Sequence, residues 1–417
     1  MAVPRLRFKG FEGNWDSRKF SDTLSFLGTN SFSRDKMNNM SGSVKNVHYG
    51  DILVRYGNVL DVLGEQIPFI NEDVSTCKIK EKDYLLSGDV IIADTAEDYT
   101  VGKATEIINT QGIKIVAGLH TQACRPKRKF AIGYIGNFIN SLAFRHQLRR
   151  IAQGTKVLSI IKTHLTDMEI HFPVEKEQQK IADFLTIFDK RIAVQQNIIA
   201  DLEETKKGLL QKIFSQEIRF KDDNGQDYPD WKKGKLSEIA DFLQGLTYHP
   251  EDAVNTGKVV LRSSNIRNGQ ICYKDVVCVD MEIPDKLTLR ENDVLMCVRN
   301  GSKKLVGKTA IITKGDLGNT WGAFMMILRA KENAGFLFQY INSKYFFKEM
   351  FVDLGTATIN QITKGMLQKC KMMIPSNAEQ RKIADFLSTF DKKITAEKQI
   401  LSDLQEIKRG LLQQMFV

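Results

Sequence analysis

The chain spells nearly the same sixteen residues twice, EQQKIADFLTIFDKRI at 177–192 and EQRKIADFLSTFDKKI at 379–394. An internal repeat constrains a fold more than composition does, because each copy has to bury an equivalent face. Carried forward, 177–214 aligns with 379–416 without a gap, and 22 of 38 positions are identical. Upstream the match weakens but continues. FINS (138–141) faces YINS (340–343), Pro173 faces Pro375, and a GT pair at 154 faces one at 355. Further back, GDVIIA (88–93) faces NDVLMC (292–297), VGKATEI (101–107) faces VGKTAII (306–312), and RFK recurs at 7–9 and 219–221. The chain therefore reads as two half-molecules with similar tails and diverged bodies.

The repeated tail has a heptad pattern. Alternating steps of four and three run through Ile181, Leu185, Phe188, Ile192, Gln195, Ile199, Leu202, Lys206, Leu209 and Ile213, and through Ile383, Leu387, Phe390, Ile394, Glu397, Leu401, Leu404, Lys408, Leu411 and Met415. In each copy the two polar breaks fall at the same steps, and such a stripe predicts a long helix that must pair. About 38 residues rising ~1.5 Å each give a rod of roughly 57 Å. Pro375 is followed by a capping-box start, Ser376 with Glu379 three residues on; the first copy lacks the box but has Pro173 in the place of Pro375. Gly208 and Gly410 are expected to mark a bend or close packing. The partner expected for each helix is the other, antiparallel, which gives the chain a pseudo-twofold relation.

The bodies read as mixed α/β. Short β-rich runs (DVIIAD, 89–94; KVVLRSS, 258–264; DVLMCVRN, 293–300; TAIIT, 309–313) alternate with turn signals such as DNG (223–225), RNG (267–269 and 299–301) and KGDLGN (314–319). FLFQYINSKYFFKEMF (336–351) has helical spacing. The predicted class is α+β, with bodies at 1–173 and 215–375 and long helices at 174–214 and 376–417. With 42% hydrophobic residues in 417, each half can bury a core. No run reaches the ~20 apolar residues of a membrane span, and MAVPRLRFKG lacks the apolar stretch of a signal peptide. Six cysteines without a CxxC pair predict a reducing, cytoplasmic setting and no structural zinc. The net charge of +10 permits a polyanionic partner.

Three stretches combine strand-end turns with basic and amide side chains. LRSSNIRNGQ (261–270) carries Arg262, Ser263, Ser264, Asn265 and Arg267; VRNGSKK (298–304) carries Arg299, Asn300, Ser302, Lys303 and Lys304; CRPKRKF (124–130) carries Arg125, Lys127, Arg128 and Lys129. Arginine and lysine suit guanine edges, asparagine and glutamine suit adenine, and hydroxyls suit phosphate. A solvated turn has the same composition, so each stretch alone is a weak signal.

Catalytic patterns are not found. GSKKLVGKT (301–309) has five residues between its glycines where a phosphate-binding loop needs four, and the strand-like AIIT follows where a helix is needed. No Asn-Pro-Pro or Asp-Pro-Pro loop of an amino-methyltransferase is present, FKGFEG (8–13) is too irregular for a cofactor loop, and the PD pairs at 229–230 and 284–285 lack a following Glu-x-Lys. No histidine sits in a triad or metal spacing.

FPVEKEQQKIADFL (172–185) and IPSNAEQRKIADFL (374–387) resemble the hydrophobic-proline, Glu-Gln, Ile-Ala-x-x-Leu openings of the specificity subunits of type I restriction-modification enzymes. DVLMCVRNGSKKLVGKTAII (293–312) and GTATINQITKGML (355–367) resemble body segments of the same family. The resemblance spans essentially the whole chain. It implies two target-recognition domains that each read half of a split double-stranded DNA site, with the paired helices as spacer. It implies modification subunits, two of them, bound to those helices, and restriction subunits joined through the complex, with no membrane partner. It also implies that the chain is not itself an enzyme and carries no cofactor, S-adenosylmethionine, ATP and Mg being held by partner chains. Two other classes compete: a scaffold whose coiled coil bridges two protein-binding heads without DNA, and a fused methyltransferase with its own cofactor site.

Overall fold

A computed structural model describes residues 3–154, 156–351 and 361–417. Residues 355–360 of the GTATIN stretch lie outside the described residues. The chain divides into two compact units, Met1–Asn197 with Gln399–Val417, and Ile198–Lys398. Each long helix is thus shared between the units, whereas the sequence boundaries assigned each helix whole.

In the first unit a five-stranded sheet runs Leu24–Phe26, Thr121–Pro126, Val90–Ala93, Ala104–Ile108, Val59–Asp61. All neighbours are antiparallel except the last pair. The VIIA run forms its central strand because both faces are covered, and all four residues are buried. Alternation splits them: Val90 and Ile92 enter the core that faces the long helices, while Ile91 and Ala93 enter a second core. The second unit repeats this with strands Ala240–Gln244, Met325–Ala330, Val294–Cys297 and Thr309–Ile311. There Val294 and Met296 face the helix-side core and Leu295 and Cys297 the other.

A smaller sheet lies in each unit, ordered Ile115–Ala117, Lys45–Val47, Phe69–Ile70, Met37–Asn38 in the first and Thr320–Trp321, Lys258–Leu261, Val277–Val279, Ala253–Val254 in the second. Both contain the same parallel pair, Val116 beside Asn46 and Thr320 beside Val260. The shared topology extends the sequence repeat into the diverged bodies.

The helices run Glu175–Phe214 and Asn377–Gln414. Within the first unit Asp189 pairs with Lys408, and Ile181 and Leu185 share a core with Met415 and Phe416. Within the second, Lys206 pairs with Asp391 at 2.7 Å and Lys398 with Glu203 at 2.7 Å. In both units numbers rise on one helix as they fall on the other, so the helices are antiparallel. The seam residues are buried or half-buried throughout, including Phe188, Ile192, Ile199, Leu202, Ile383, Leu387, Phe390, Ile394, Leu401 and Leu404. The polar breaks at Lys206 and Lys408 are the cationic halves of reciprocal ion pairs.

Each helix opens on a buried clamp. Glu177 and Glu379 are fully buried and accept forked bonds from Arg7 (2.8 and 2.8 Å) and Arg219 (2.7 and 3.0 Å). This explains why both RFK and Glu-Gln recur. It also corrects half of the capping box. Ser376 Oγ accepts from the Glu379 N–H at 3.3 Å, but the Glu379 carboxylate turns to Arg219 and to Trp231 Nε1, because a buried charge needs a cation more than a helix start needs a second cap. Two more expectations change. A β-carbon at Gly208 or Gly410 would meet nothing within 4 Å, so neither marks close packing. The 336–351 run is two helices, Ala334–Ile341 and Lys344–Phe351, with Ser343 Oγ capping the Phe346 N–H at 3.4 Å.

One buried acid is particular to the first unit: Glu106 stands where the repeat places Ile311 in the second. Glu106 accepts from the backbone N–H groups of Gly133 (2.6 Å) and Gly136 (2.9 Å), and a β-carbon at Gly136 would lie 2.2 Å from the Asn58 carbonyl. Burial pushes its carboxyl up to about 7 from 4.5, against those N–H bonds. A raised native pKa means the folded state holds the proton longer than the unfolded chain. The contribution is therefore full below the unfolded value and is lost as pH rises to about 7. Denaturant unfolding across this range should show a steeper fall for the wild type than for Glu106→Gln. Equal slopes would contradict the assignment.

Candidate nucleic-acid interface

The second unit brings two of the three sequence stretches together. Arg262 and Ser263 follow strand Lys258–Leu261, and Arg299 and Asn300 follow Val294–Cys297. The loops meet where Asn300 Nδ2 donates to Ser263 Oγ at 3.1 Å. They line a cleft of ≈ 1210 Å³ with Tyr248, Ser264 and Phe324. Arg299 lies over the Phe324 ring at 5.2 Å, and that ring is 60% exposed. Tyr248 and Phe324 had no sequence signal, because neither sits in a polar turn; only the fold carries them to the cleft.

Arg262 is held by both oxygens of Asp275 at 3.3 Å, and its Nε is buried without a hydrogen-bond partner. Arg267 sits outside the lining, at the tip of a hairpin where Arg267 faces Gln270 and both Asn268 and Gly269 have positive φ, a type I′ turn. Ser302, Lys303 and Lys304 are exposed on the turn beside the cleft.

Asn265 is a correction. It is fully buried, with Nδ2 donating to the carbonyls of Cys272 (3.0 Å) and Asp275 (2.7 Å) and Oδ1 accepting from the Arg262 N–H. Its amide is consumed in shaping the loop and does not reach a ligand.

The CRPKRKF stretch is placed elsewhere. Arg125 grips buried Asp89 through Nε (2.9 Å) and Nη2 (2.7 Å), so it is a structural clamp. Arg329 grips Asp293 in the second unit at 2.7 and 2.6 Å. Both pairs are 36 residues apart, a spacing that could have revealed the role in the sequence. Lys127 donates to the Ser21 carbonyl at 2.7 Å, Lys129 pairs with Glu175 at 2.7 Å, and Arg128 lies over Phe172 at 4.6 Å. All three side chains are exposed, and of them Lys129 reaches the first residue of the long helix, Glu175.

Comparison with known proteins follows the same division. The family model for the type I restriction modification DNA specificity domain matches residues 29–204 and again 228–406. The chain is 24% identical over 276 residues to the type I restriction enzyme MjaVIII specificity subunit of Methanocaldococcus jannaschii, covering 64% of this chain and 65% of that one. It is 25% identical over 190 residues to the StySPI specificity subunit of Salmonella potsdam, covering 44% of this chain and 41% of that one. The matched region thus spans less than two thirds of either relative. The crystal structure of a type I restriction-modification S subunit from M. genitalium shares the fold, with a TM-score of 0.55 at 16% identity, covering 100% of this chain and 99% of that one.

Proposed function

The chain belongs to the type I restriction modification DNA specificity family, and from that premise we propose that it reads a bipartite duplex DNA target and brings modification and restriction subunits to it. The observation that carries the reading is the cleft of the second head. Two loops from separate strands converge there with Arg262, Ser263, Arg299 and Asn300, and two aromatic side chains stand beside them. Donors of this kind, fixed on strand ends, suit base edges. The two heads differ in these loops while 22 of 38 aligned helix positions are identical, as expected if heads read and helices hold.

Methyl transfer and cleavage are assigned to partner chains, and S-adenosylmethionine, ATP and Mg with them. The long helices offer docking surface for the modification subunits. Ile187 and Val194 are 61% and 57% exposed at a seven-residue spacing, and Ile400 and Ile407 repeat that spacing at 42% and 50%. Among the described residues no helix is long and apolar enough to cross a membrane.

The test is a randomised-site binding selection on the assembled methyltransferase. Arg299→Ala should lower discrimination by ~1–3 kcal/mol at one position in one half of the site and spare the other half. Lys303→Ala with Lys304→Ala should weaken all sequences alike and reduce the salt slope by roughly one for each phosphate no longer neutralised. Absence of sequence-specific binding to any DNA by the wild-type assembly would favour the scaffold with protein-binding heads.

A further inference from the structure

We infer that the first head reads its half-site of duplex DNA through Arg34, His48, Tyr49, Thr95 and His120, and not through the basic stretch 125–129. The inference rests on the reading of the chain as a DNA specificity subunit. Nothing in the polar composition of the first body singles these residues out. The internal symmetry of the fold does.

In the second head the cleft is built at three backbone positions: after strand Lys258–Leu261, after Val294–Cys297, and before Met325–Ala330. The first head has the same three strands at Lys45–Val47, Val90–Ala93 and Thr121–Pro126. The match is fixed by more than order. The Gly322 N–H donates to the Leu261 carbonyl at 3.0 Å, and the Gly118 N–H donates to the Val47 carbonyl at 2.9 Å. Arg262 therefore aligns with His48, Arg299 with Thr95 and Phe324 with His120. The short helical turns at Arg34–Lys36 and Pro250–Asp252 also correspond, so Arg34 takes the place of cleft-lining Pro250.

These positions meet in the first head as their counterparts do in the second. The Tyr49 and His120 rings are 5.3 Å apart and edge-on, and His48 lies 4.6 Å from Tyr49. Thr95 Oγ1 donates to Asp94 Oδ1 at 2.9 Å and lies 3.4 Å from His120 Nδ1. Gln122 Nε2 completes the chain to Asp94 Oδ2 at 2.8 Å. With its proton committed to Asp94, the Thr95 oxygen accepts from His120 Nδ1–H, which orients the ring and leaves Nε2 for a base edge. Arg34 is anchored on buried Asp51 and is 49% exposed, so it offers remaining donors to phosphate. Of residues 127–129, none of which aligns with a cleft position, Lys127 donates to the Ser21 carbonyl, Arg128 lies 3.8 Å from Asp16, and Lys129 pairs with Glu175 at the helix start.

The experiment uses the complete assembly and the same randomised-site selection, with His120→Ala, Tyr49→Ala and Lys127→Ala/Lys129→Ala. The two ring variants should each lower discrimination at one or two adjacent positions by roughly 5- to 150-fold, in the half-site that Arg299→Ala leaves untouched. The lysine double variant should leave both half-site sequences unchanged. Retained preference in the other half shows that each variant is folded and assembled. If both ring variants keep wild-type preference in both halves while Arg299→Ala alters one, the chain still reads DNA but this surface does not, and the inference is wrong. A changed base preference in the lysine double variant would overturn it as well.

Discussion

Replacing Arg219 with alanine is expected to destabilise the second unit by roughly 3 kcal/mol or more. Glu379 is fully buried, and its carboxylate accepts from Arg219 Nε, Arg219 Nη2 and Trp231 Nε1. Without the guanidinium, a buried charge keeps only the indole donor. The Arg219 side chain is 24% exposed, so water can replace part of what is removed, which sets the estimate at the lower end of the range for a broken buried pair. Arg219 also donates to the carbonyls of Tyr228 (3.2 Å) and Pro229 (2.8 Å), so its loss loosens the segment before strand Lys232–Lys235. Denaturant unfolding followed by hydrogen exchange in the second unit gives the readout. The double variant Arg219→Leu/Glu379→Leu should recover part of the stability, since it removes the buried charge together with its cation. A single variant as stable as wild type would show that the clamp holds nothing. Arg7→Ala is the matched experiment in the first unit. There Trp15 Nε1 is buried without a partner, so Glu177 lacks the indole donor that Glu379 has. The cost should be at least as large.

The clamp also shows what a sequence can and cannot reveal. The recurrence of RFK and of Glu-Gln was visible, and so was the buried stripe that follows. Their connection was not, because Arg7 and Glu177 are 170 residues apart and Arg219 and Glu379 are 160 apart. The strand runs at 89–94, 258–264, 293–300 and 309–313 were legible from β-branched and apolar density. The RNG turn at 267–269 was legible from its Asn-Gly pair. Side-chain roles in loops were less so. Asn265 and Asn300 look alike in sequence, but one is sealed beneath its loop and the other lines the cleft. Arg125 looked like a reader because it stands among cations, while its partner Asp89 is one strand away. The first-head surface escaped because Arg34, the His48–Tyr49 pair, Thr95 and His120 lie on separate stretches of the sequence and no local pattern marks them. They become visible only when the second head is laid over the first, strand by strand.

The division of the helices leads to the second large expected effect. Leu404 lies on the second long helix, 6% exposed, and that stretch belongs to the first unit. Leu404→Asp places a carboxylate in the seam, one turn before Lys408. Lys408 already pairs with Asp189, so the new charge must either take that cation from Asp189 or stay unpaired. Either outcome costs several kcal/mol, on the order of 3–5. Leu404→Ala, which leaves a cavity and no charge, should cost about 2–4 kcal/mol. The informative result is where the damage falls. Hydrogen exchange resolved by segment should show the first head losing protection and the second keeping it, although residue 404 follows the second head in the chain. Leu202→Asp should do the reverse, more weakly, because Leu202 is only half-buried and belongs to the second unit. The same variants should lose modification subunits in a size-exclusion assay, since a docking surface on the helices depends on the seam beneath it. If Leu404→Asp instead opened the second head, each helix would belong to the body it follows. The reciprocal pairs Asp189–Lys408 and Lys206–Asp391 would then have to be surface contacts without consequence.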